Sequence, residues 1–390
     1  MNSAGTSKPL VAIACGGTGG HLFPGLAVAG QLQQRGCDVA LLISPKDIDQ
    51  QAVKNVSGME IFTLPAVGLQ NRNYFSFAGS FVQSLLAVRK IFLRRPPAAV
   101  LAMGGFTSAP PIFVAKAMGA RTFLHESNTI PGKANRYLAR FVNGAFLGFP
   151  ETAARLRAKK ITVTGTPVRP QFQIREAVAC CPALGLDARR PVILVVGGSQ
   201  GAHGLNEMIL FALPRLKDRG WQWLHLTGAK DFEPVRAAYA AHGIPAVVRP
   251  FLAEMELALG AATVVVSRAG ASSLAEMAAV RRPSLLVPLP TAADNHQFFN
   301  ARAFEKTGAA RRLEQENTTP ETVAAQLAEL VGDETARQKM VAALAQWHAP
   351  QSAAQIAEAI LSGLGAEFAA APKSGEKTGG TGKPNCPAAV

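Results

Sequence analysis

The 390 residues contain no run of about 20 apolar side chains, the length a bilayer-crossing helix needs. Tyr and Trp are scarce, three of each, and no DNA- or RNA-reading motif accompanies them, which argues against a nucleic-acid reader. Cys15, Cys37, Cys180, Cys181 and Cys386 are an odd number without CxxC or Cys/His spacing. That excludes a disulfide framework or zinc site and points to reduced thiols in the cytosol. The first ten residues lack the basic segment and long apolar core of a signal peptide, so export is not expected. Acid is also short: 26 Asp and Glu face 40 Lys and Arg, a net charge of +14.

What the chain does have is apolar content, 48%, enough for the two or three domains its length suggests at about 150 residues each. The charge is localised. Residues 71 to 140 hold Arg72, Arg89, Lys90, Arg94, Arg95, Lys116, Arg121, Lys133, Arg136 and Arg140 against Glu126 alone, net +9. Within them FSFAGSFVQSLLAVRKIFLRR places Ala78, Phe81, Val82, Leu85, Leu86 and Phe92 at helical spacing, widened by Phe75, Phe77, Val88 and Ile91. One reading is a core-facing helix with a basic end. Another is an interfacial helix laid on anionic lipid headgroups, and a nucleic-acid surface ranks last.

LVAIACGGTGGH (Leu10 to His21) and PVILVVGGSQGAHGLN (Pro191 to Asn206) repeat one design, an apolar strand running into glycines and then a helix. VALLIS, AAVLAM, RTFLHE, AFLGF and ITVTG in the first half, and WQWLHLTG, AVVRPF, ATVVVSR and PSLLVPL in the second, read as strands alternating with helices. The fold class is therefore α/β, two doubly wound Rossmann-like domains facing across a cleft. The seam is expected near Gly165 to Arg190, and residues from Ala369 on read as a disordered tail.

GGTGGHLFPG is neither a Walker A loop nor a dinucleotide fingerprint, yet four glycines within five residues let backbone approach a ligand, with Thr18 and His21 beside them. His21 is a candidate general base or substrate contact. GGSQG matches the GxSxG elbow, so a serine hydrolase with Ser199, Asp294 and His296 has to be weighed against a phosphate-holding loop. In SRAGASSLAE, Ser273 and Glu276 fit a capping box. The competing account is a ribose-binding carboxylate, with Arg268 and the helix N-terminus serving an anion. LPTAADNHQFFNA places Asp294, Asn295, His296 and Gln297 in a loop before a helix, groups suited to sugar hydroxyls.

GGTGGHLFPG, MGGFTSAP, HESN, GTPVR, GGSQGA, SRAGASSLAE and DNHQFFNA, in this order, resemble the MurG family of peptidoglycan glycosyltransferases over about residues 10 to 365. Ser127 stands where that family usually has glutamine, and Thr166 where it has asparagine. The resemblance implies a GT-B enzyme that moves N-acetylglucosamine from UDP to the C4 hydroxyl of N-acetylmuramic acid in undecaprenyl-pyrophosphoryl-muramoyl-pentapeptide. The transfer would invert the sugar and need neither cofactor nor metal. An acceptor half, 1–168 with a returning helix at about 350–366, would face a UDP-sugar half, 169–349. The tail would be 369–390.

Carried over by motif, Thr18, Gly19, Gly20 and His21 line the acceptor side. Ser199 meets the donor phosphates, Leu252 borders the uracil, and Ala271, Ser272, Ser273, Leu274, Ala275 and Glu276 frame the nucleotide, with Glu276 on the ribose. Asn128 and Gln297 hold the sugar, and Arg169 reaches the donor from the hinge. His21 is the favoured base and Glu126 its competitor. The implied partners are the UDP-sugar, the lipid-linked acceptor and an anionic membrane surface, with no nucleic acid, at the cytoplasmic face of the inner membrane. The alternatives kept are a GT-B enzyme with another acceptor, the hydrolase, and a basic nucleic-acid binder.

Overall fold

The computed structural model describes residues 8–54, 56–65, 74–198 and 200–365. Ser199 and the tail from 366 on, with the disorder expected for it, lie outside these residues. The first sheet comprises β1 (Leu10–Ala14), β2 (Asp38–Ile43), β3 (Glu60–Thr63), β4 (Ala99–Ala102), β5 (Arg121–Glu126), β6 (Gly144–Leu147) and β7 (Ile161–Val163). They lie in the order β3-β2-β1-β4-β5-β6-β7, all parallel. The second comprises β8 (Val192–Val196), β9 (Gln222–Leu226), β10 (Ala246–Arg249), β11 (Val264–Ser267), β12 (Ser284–Leu286) and β13 (Arg311–Arg312), ordered β10-β9-β8-β11-β12-β13, again parallel.

Helices α1 (Gly19–Gln34), α2 (Asp47–Val53), α3 (Tyr74–Arg94), α4 (Ala109–Ala117) and α5 (Lys133–Leu138) connect the first sheet. Helices α6 (Ala177–Leu184), α7 (His203–Ala212), α8 (Phe232–Ala241), α9 (Met255–Ala261), α10 (Ala271–Ala279), α11 (His296–Lys306), α12 (Pro320–Gly332) and α13 (Glu334–Trp347) belong to the second half, and α14 (Ser352–Leu364) ends it.

The central strands are apolar without alternation because helices cover both faces: all five residues of β1 are buried. Every strand read from the sequence is present. The two it did not single out, β3 and β13, are short edge strands, and β3 alternates in burial. Helix α14 returns to the first half, where Ile356, Ala357 and Ile360 pack beside α1 in the core under β1 and β2. Ser352 Oγ fixes its start by donating to Gly165 O at 2.9 Å.

In each sheet the strand order reverses beside the first strand, at β1/β4 and β8/β11, so a crevice opens past the carboxyl ends there. Both glycine loops leave these ends. Helices α1 and α10, which start at the two crevices, pack against each other, so the crevices share one cleft.

Candidate functional site

On the first wall, Gly17 has φ +114°, and its N–H donates to Asp49 Oδ2 at 2.7 Å. Helix α1 begins at Gly19 with Thr18 as N-cap, its side chain making no capping bond. The N–H groups of Gly19 and Gly20 are therefore open to a ligand, as first-turn amides are. Thr18 Oγ1 instead lies 3.2 Å from His21 Nδ1. With Nδ1–H donated to that hydroxyl, Nε2 carries the lone pair a base needs. The ring rests on Gly104 and Gly105, both at positive φ, where an added Cβ would come within 2.9 and 3.1 Å of it. Burial holds the imidazole pKa down at about 4, so it is neutral at neutral pH; Asp49 opposes the shift, while His296 and Lys46 add to it.

Glu126, the competing base, is 3% exposed and has both oxygens occupied. Oε1 accepts Asn128 N at 2.9 Å and Nδ2 at 3.1 Å; Oε2 accepts Gly132 N and Asn135 Nδ2, each at 2.9 Å. Its lone pairs organise the loop after β5, and the four donors leave no open acceptor position for a substrate hydroxyl. Asn128 is likewise engaged: its Oδ1 accepts Asn300 Nδ2 at 3.0 Å, so at most one amide N–H remains for a sugar.

On the second wall the glycine loop after β8 is packed tightly: a Cβ on Gly201 (φ +76°) would lie 2.0 Å from Thr227 O. Helix α10 has Gly270 as N-cap and no side-chain capping bond, so the capping-box account of Ser273 and Glu276 fails. Ser273 sits inside the first turn and Glu276 in the second. Of 271–276, Ala271 and Leu274 face the core, while Ser272, Ser273, Ala275 and Glu276 are half-buried. Burial pushes the Glu276 carboxyl up to about 7; Arg169 pulls it down and Glu256 raises it. Arg169 lies with its guanidinium carbon 4.2 Å from the Phe23 ring of α1 and 5.0 Å from that of Phe172, with Nε buried and unpaired. Gln297 Oε1 accepts Ala269 N (3.2 Å) and Leu289 N (3.0 Å), so it offers a ligand its N–H groups. Leu252 is 5% exposed in the core, leaving its backbone as the part that can border a base, beside exposed Phe251.

Arg268 does not serve an anion. It is buried and donates to Val287 O and Pro288 O (3.1 Å each) and Gln315 Oε1 (2.6 Å). Nor are the acid and histidine of the hydrolase reading joined: His296 Nδ1 bonds Ala293 O, and Asp294 pairs with Arg136.

The sequence reading missed Asn300. Wholly buried on α11, it accepts Thr129 N (2.9 Å) and Oγ1 (3.0 Å) and donates to Asn128 Oδ1 and Ala269 O, tying the two walls together. Its signal was a polar residue three after Gln297, on the same helix face.

The profile of the glycosyltransferase family 28 N-terminal domain matches residues 11–147, and that of its C-terminal domain residues 192–359. A UDP-N-acetylglucosamine--N-acetylmuramyl-(pentapeptide) pyrophosphoryl-undecaprenol N-acetylglucosamine transferase of Anaeromyxobacter sp. (strain Fw109-5) is 36% identical over 89% of this chain and 91% of its own. One of the same name from Rhodopseudomonas palustris (strain BisB5) is 36% identical over 84% and 91%. The crystal structure of Acinetobacter baumannii MurG superposes with TM-score 0.71 at 27% identity, over 91% of this chain and 99% of that one. A glycosyltransferase of kitacinnamycin, TM-score 0.69 at 17% identity, shares the fold over 92% of this chain and 100% of its own. The chain thus belongs to the MurG family of glycosyltransferases, within glycosyltransferase family 28.

Proposed function

We propose that this protein transfers N-acetylglucosamine from UDP-N-acetylglucosamine to the C4 hydroxyl of N-acetylmuramic acid in undecaprenyl-pyrophosphoryl-muramoyl-pentapeptide, with inversion. The observation that carries the reading is the pairing of walls across one cleft, in a chain of this family. A neutral His21 stands on one side and Glu276 on the other, with Arg169 acting on Glu276 while its guanidinium lies over Phe23 of α1. His21 Nε2 takes the acceptor hydroxyl proton as the sugar carbon is attacked from the face opposite UDP. The departing diphosphate gains stabilisation from the Gly197–Gly201 loop, the α10 N-terminus and Arg169, with the Ser199 hydroxyl as a further donor. Glu276 takes the ribose diol, and Gln297 and the remaining Asn128 N–H hold the sugar. Residues 1–168 with 350–366 form the acceptor half in this reading, and 169–349 the donor half. Labelled UDP-N-acetylglucosamine and the lipid-linked muramoyl-pentapeptide, incubated with the protein, give a labelled lipid-linked disaccharide. Turnover of the donor onto some other acceptor alone would sink the reading.

The same proposal puts the acceptor half on an anionic leaflet at the cytoplasmic side. No described helix is long and apolar enough to cross a membrane. Helix α3 has two apolar rows. Val88 and Phe92 are buried in the core, while Val82, Leu86 and Leu93 are 53%, 61% and 56% exposed beside exposed Arg89, Lys90 and Arg94. Exposed Lys116 and Met118 at the end of α4, with Lys133, Tyr137 and Arg140 around α5, extend the patch. The charge is thus divided: Arg95 is spent on Asp38 and Glu60, and Arg136 on Asp294. An apolar row flanked by cations suits headgroups and acyl boundary together. Replacing both Val82 and Leu86 with Ser should lower binding to phosphatidylglycerol vesicles about tenfold or more in a flotation assay, with melting temperature and UDP affinity unchanged. A double variant that binds as the parent does would remove the patch from the proposal.

A further inference from the structure

Beneath the Gly16–Gly20 loop lies a carboxylate that the chemistry above does not use. Asp49 is wholly buried on α2. Its Oδ2 accepts three bonds: Gly17 N at 2.7 Å, Ser44 N at 3.1 Å and Ser44 Oγ at 2.5 Å. Its Oδ1 is buried with no hydrogen-bond partner among the described residues. Asp47, Ile48 and Asp49 have D-x-D spacing, but Asp49 points inward onto a backbone amide. The other end of Gly17 is held as well. Lys46 Nζ donates to Gly17 O at 2.9 Å and lies 5.4 Å from the centre of the Phe106 ring. Thr107 Oγ1 holds the preceding carbonyl, Gly16 O, at 2.9 Å. Gly17 cannot be replaced by a stiffer residue to do this job: its φ is +114°, and a Cβ would lie 3.1 Å from Phe106.

A buried anion with one oxygen unpaired is costly, so its retention calls for a role that a neutral side chain would not fill. Its position supplies one. Gly17 precedes Thr18, whose carbonyl receives the first α1 amides, His21 N and Leu22 N, at 3.1 Å each. Fixing both sides of Gly17 therefore fixes where α1 begins and where the imidazole sits. Among the described residues, four titratable groups act on that imidazole or feel it: Asp49 on α2, Lys46 before it, His296 on α11 and His125 on β5. Asp49 alone among them is anionic. It therefore favours the imidazolium that forms when the acceptor proton is taken.

We propose that Asp49 is a positioning residue for the transfer, clamping Gly17 from below with Lys46 as its counterpart, so that His21 is presented to the acceptor and its developing charge is stabilised. The proposal rests on His21 being the base, and the experiment separates the two. Asp49→Asn keeps the shape and removes the charge. The expected result is a fall in kcat of about tenfold or more, with KM for UDP-N-acetylglucosamine and UDP-induced thermal stabilisation retained. In histidine-labelled protein the NMR titration midpoint of His21, assigned with His21→Ala, moves to lower pH. Lys46→Met moves it the opposite way, which loss of packing alone would not produce. In the His21→Ala background Asp49→Asn costs almost nothing further. Unchanged kcat and His21 midpoint in a folded Asp49→Asn protein would overturn the clamp. Should that variant not fold, an unmoved midpoint in Lys46→Met does the same. Full turnover by His21→Ala overturns the base assignment instead, while the midpoints still report on the clamp.

Discussion

His21→Ala lowers kcat by roughly two to four orders of magnitude, the range a positioned base supplies, while the affinity for UDP stays as it was. The contacts that hold the side chain come from the first wall: Thr18 Oγ1 and the bare backbone of Gly104 and Gly105. Its hydrogen bond runs to Thr18 and those of Gln297 run to Ala269 and Leu289, so the loss falls on chemistry and not on donor binding. A pKa of about 4 makes a weak base of a fully available one. Docking of the pyrophosphoryl acceptor brings negative charge to the cleft and raises that value as the proton has to move. The competing assignment gives the opposite pattern. If Glu126 were the base, Glu126→Gln would abolish turnover in a protein of parental melting temperature while His21→Ala stayed active. The four bonds into Glu126 point instead to a loss of stability, because the carboxamide nitrogen that replaces either oxygen accepts no hydrogen bond and leaves the two donors there unpaired. Steady-state kinetics of both variants, with melting curves alongside, decide it.

The fold was legible in the sequence because its strong signals are local. An apolar pentapeptide running into glycines marks both β1 and β8, and a parallel sheet needs such runs buried on both faces. The strands that escaped, β3 and β13, are edges where burial is partial and the run is short. Helix α3 defied a choice between core and membrane readings since its apolar residues occupy more than one face: Val88 and Phe92 point in, Val82 and Leu86 out.

The placement of candidate residues was legible where motif and local backbone coincide, as with His21 at the start of α1 and Glu276 in α10, and illegible where a side chain's partners come from distant elements. Arg268 stands beside a helix N-terminus in sequence, yet β12 lies next to β11, and the Val287 and Pro288 carbonyls beyond its end capture the guanidinium. Glu126 in HESN reads as a competing general base. Only the return of the chain to Gly132 and Asn135 saturates it. Asn300 is the extreme case, since three of its four partner groups are on the opposite half, about 170 residues earlier in the chain.

That same separation of halves gives the donor wall a pH dependence of its own. Glu276 sits near half-ionisation at pH 7, and only its carboxylate form can accept both hydroxyls of a ribose. Its ionised fraction rises about tenfold between pH 6 and pH 8, so affinity for UDP-N-acetylglucosamine should rise by about the same factor, with proton release on binding seen by calorimetry near neutrality. The sign for stability is the reverse. The folded pKa lies above the unfolded value, so this group's stabilising contribution is complete below about 4.5 and lost as pH climbs through about 7. The ligand-free protein should therefore lose more stability from pH 5 to 8 than Glu276→Gln does. With the sugar nucleotide bound the order changes. At pH 8 Glu276→Gln binds about 10- to 100-fold more weakly, the loss expected for hydrogen bonds to a charged group, and its affinity is flat with pH. Parental affinity at pH 8 in Glu276→Gln would remove the carboxylate from the nucleotide. A flat profile in the parent would mean that the carboxyl is ionised throughout that range, against the burial that raises it.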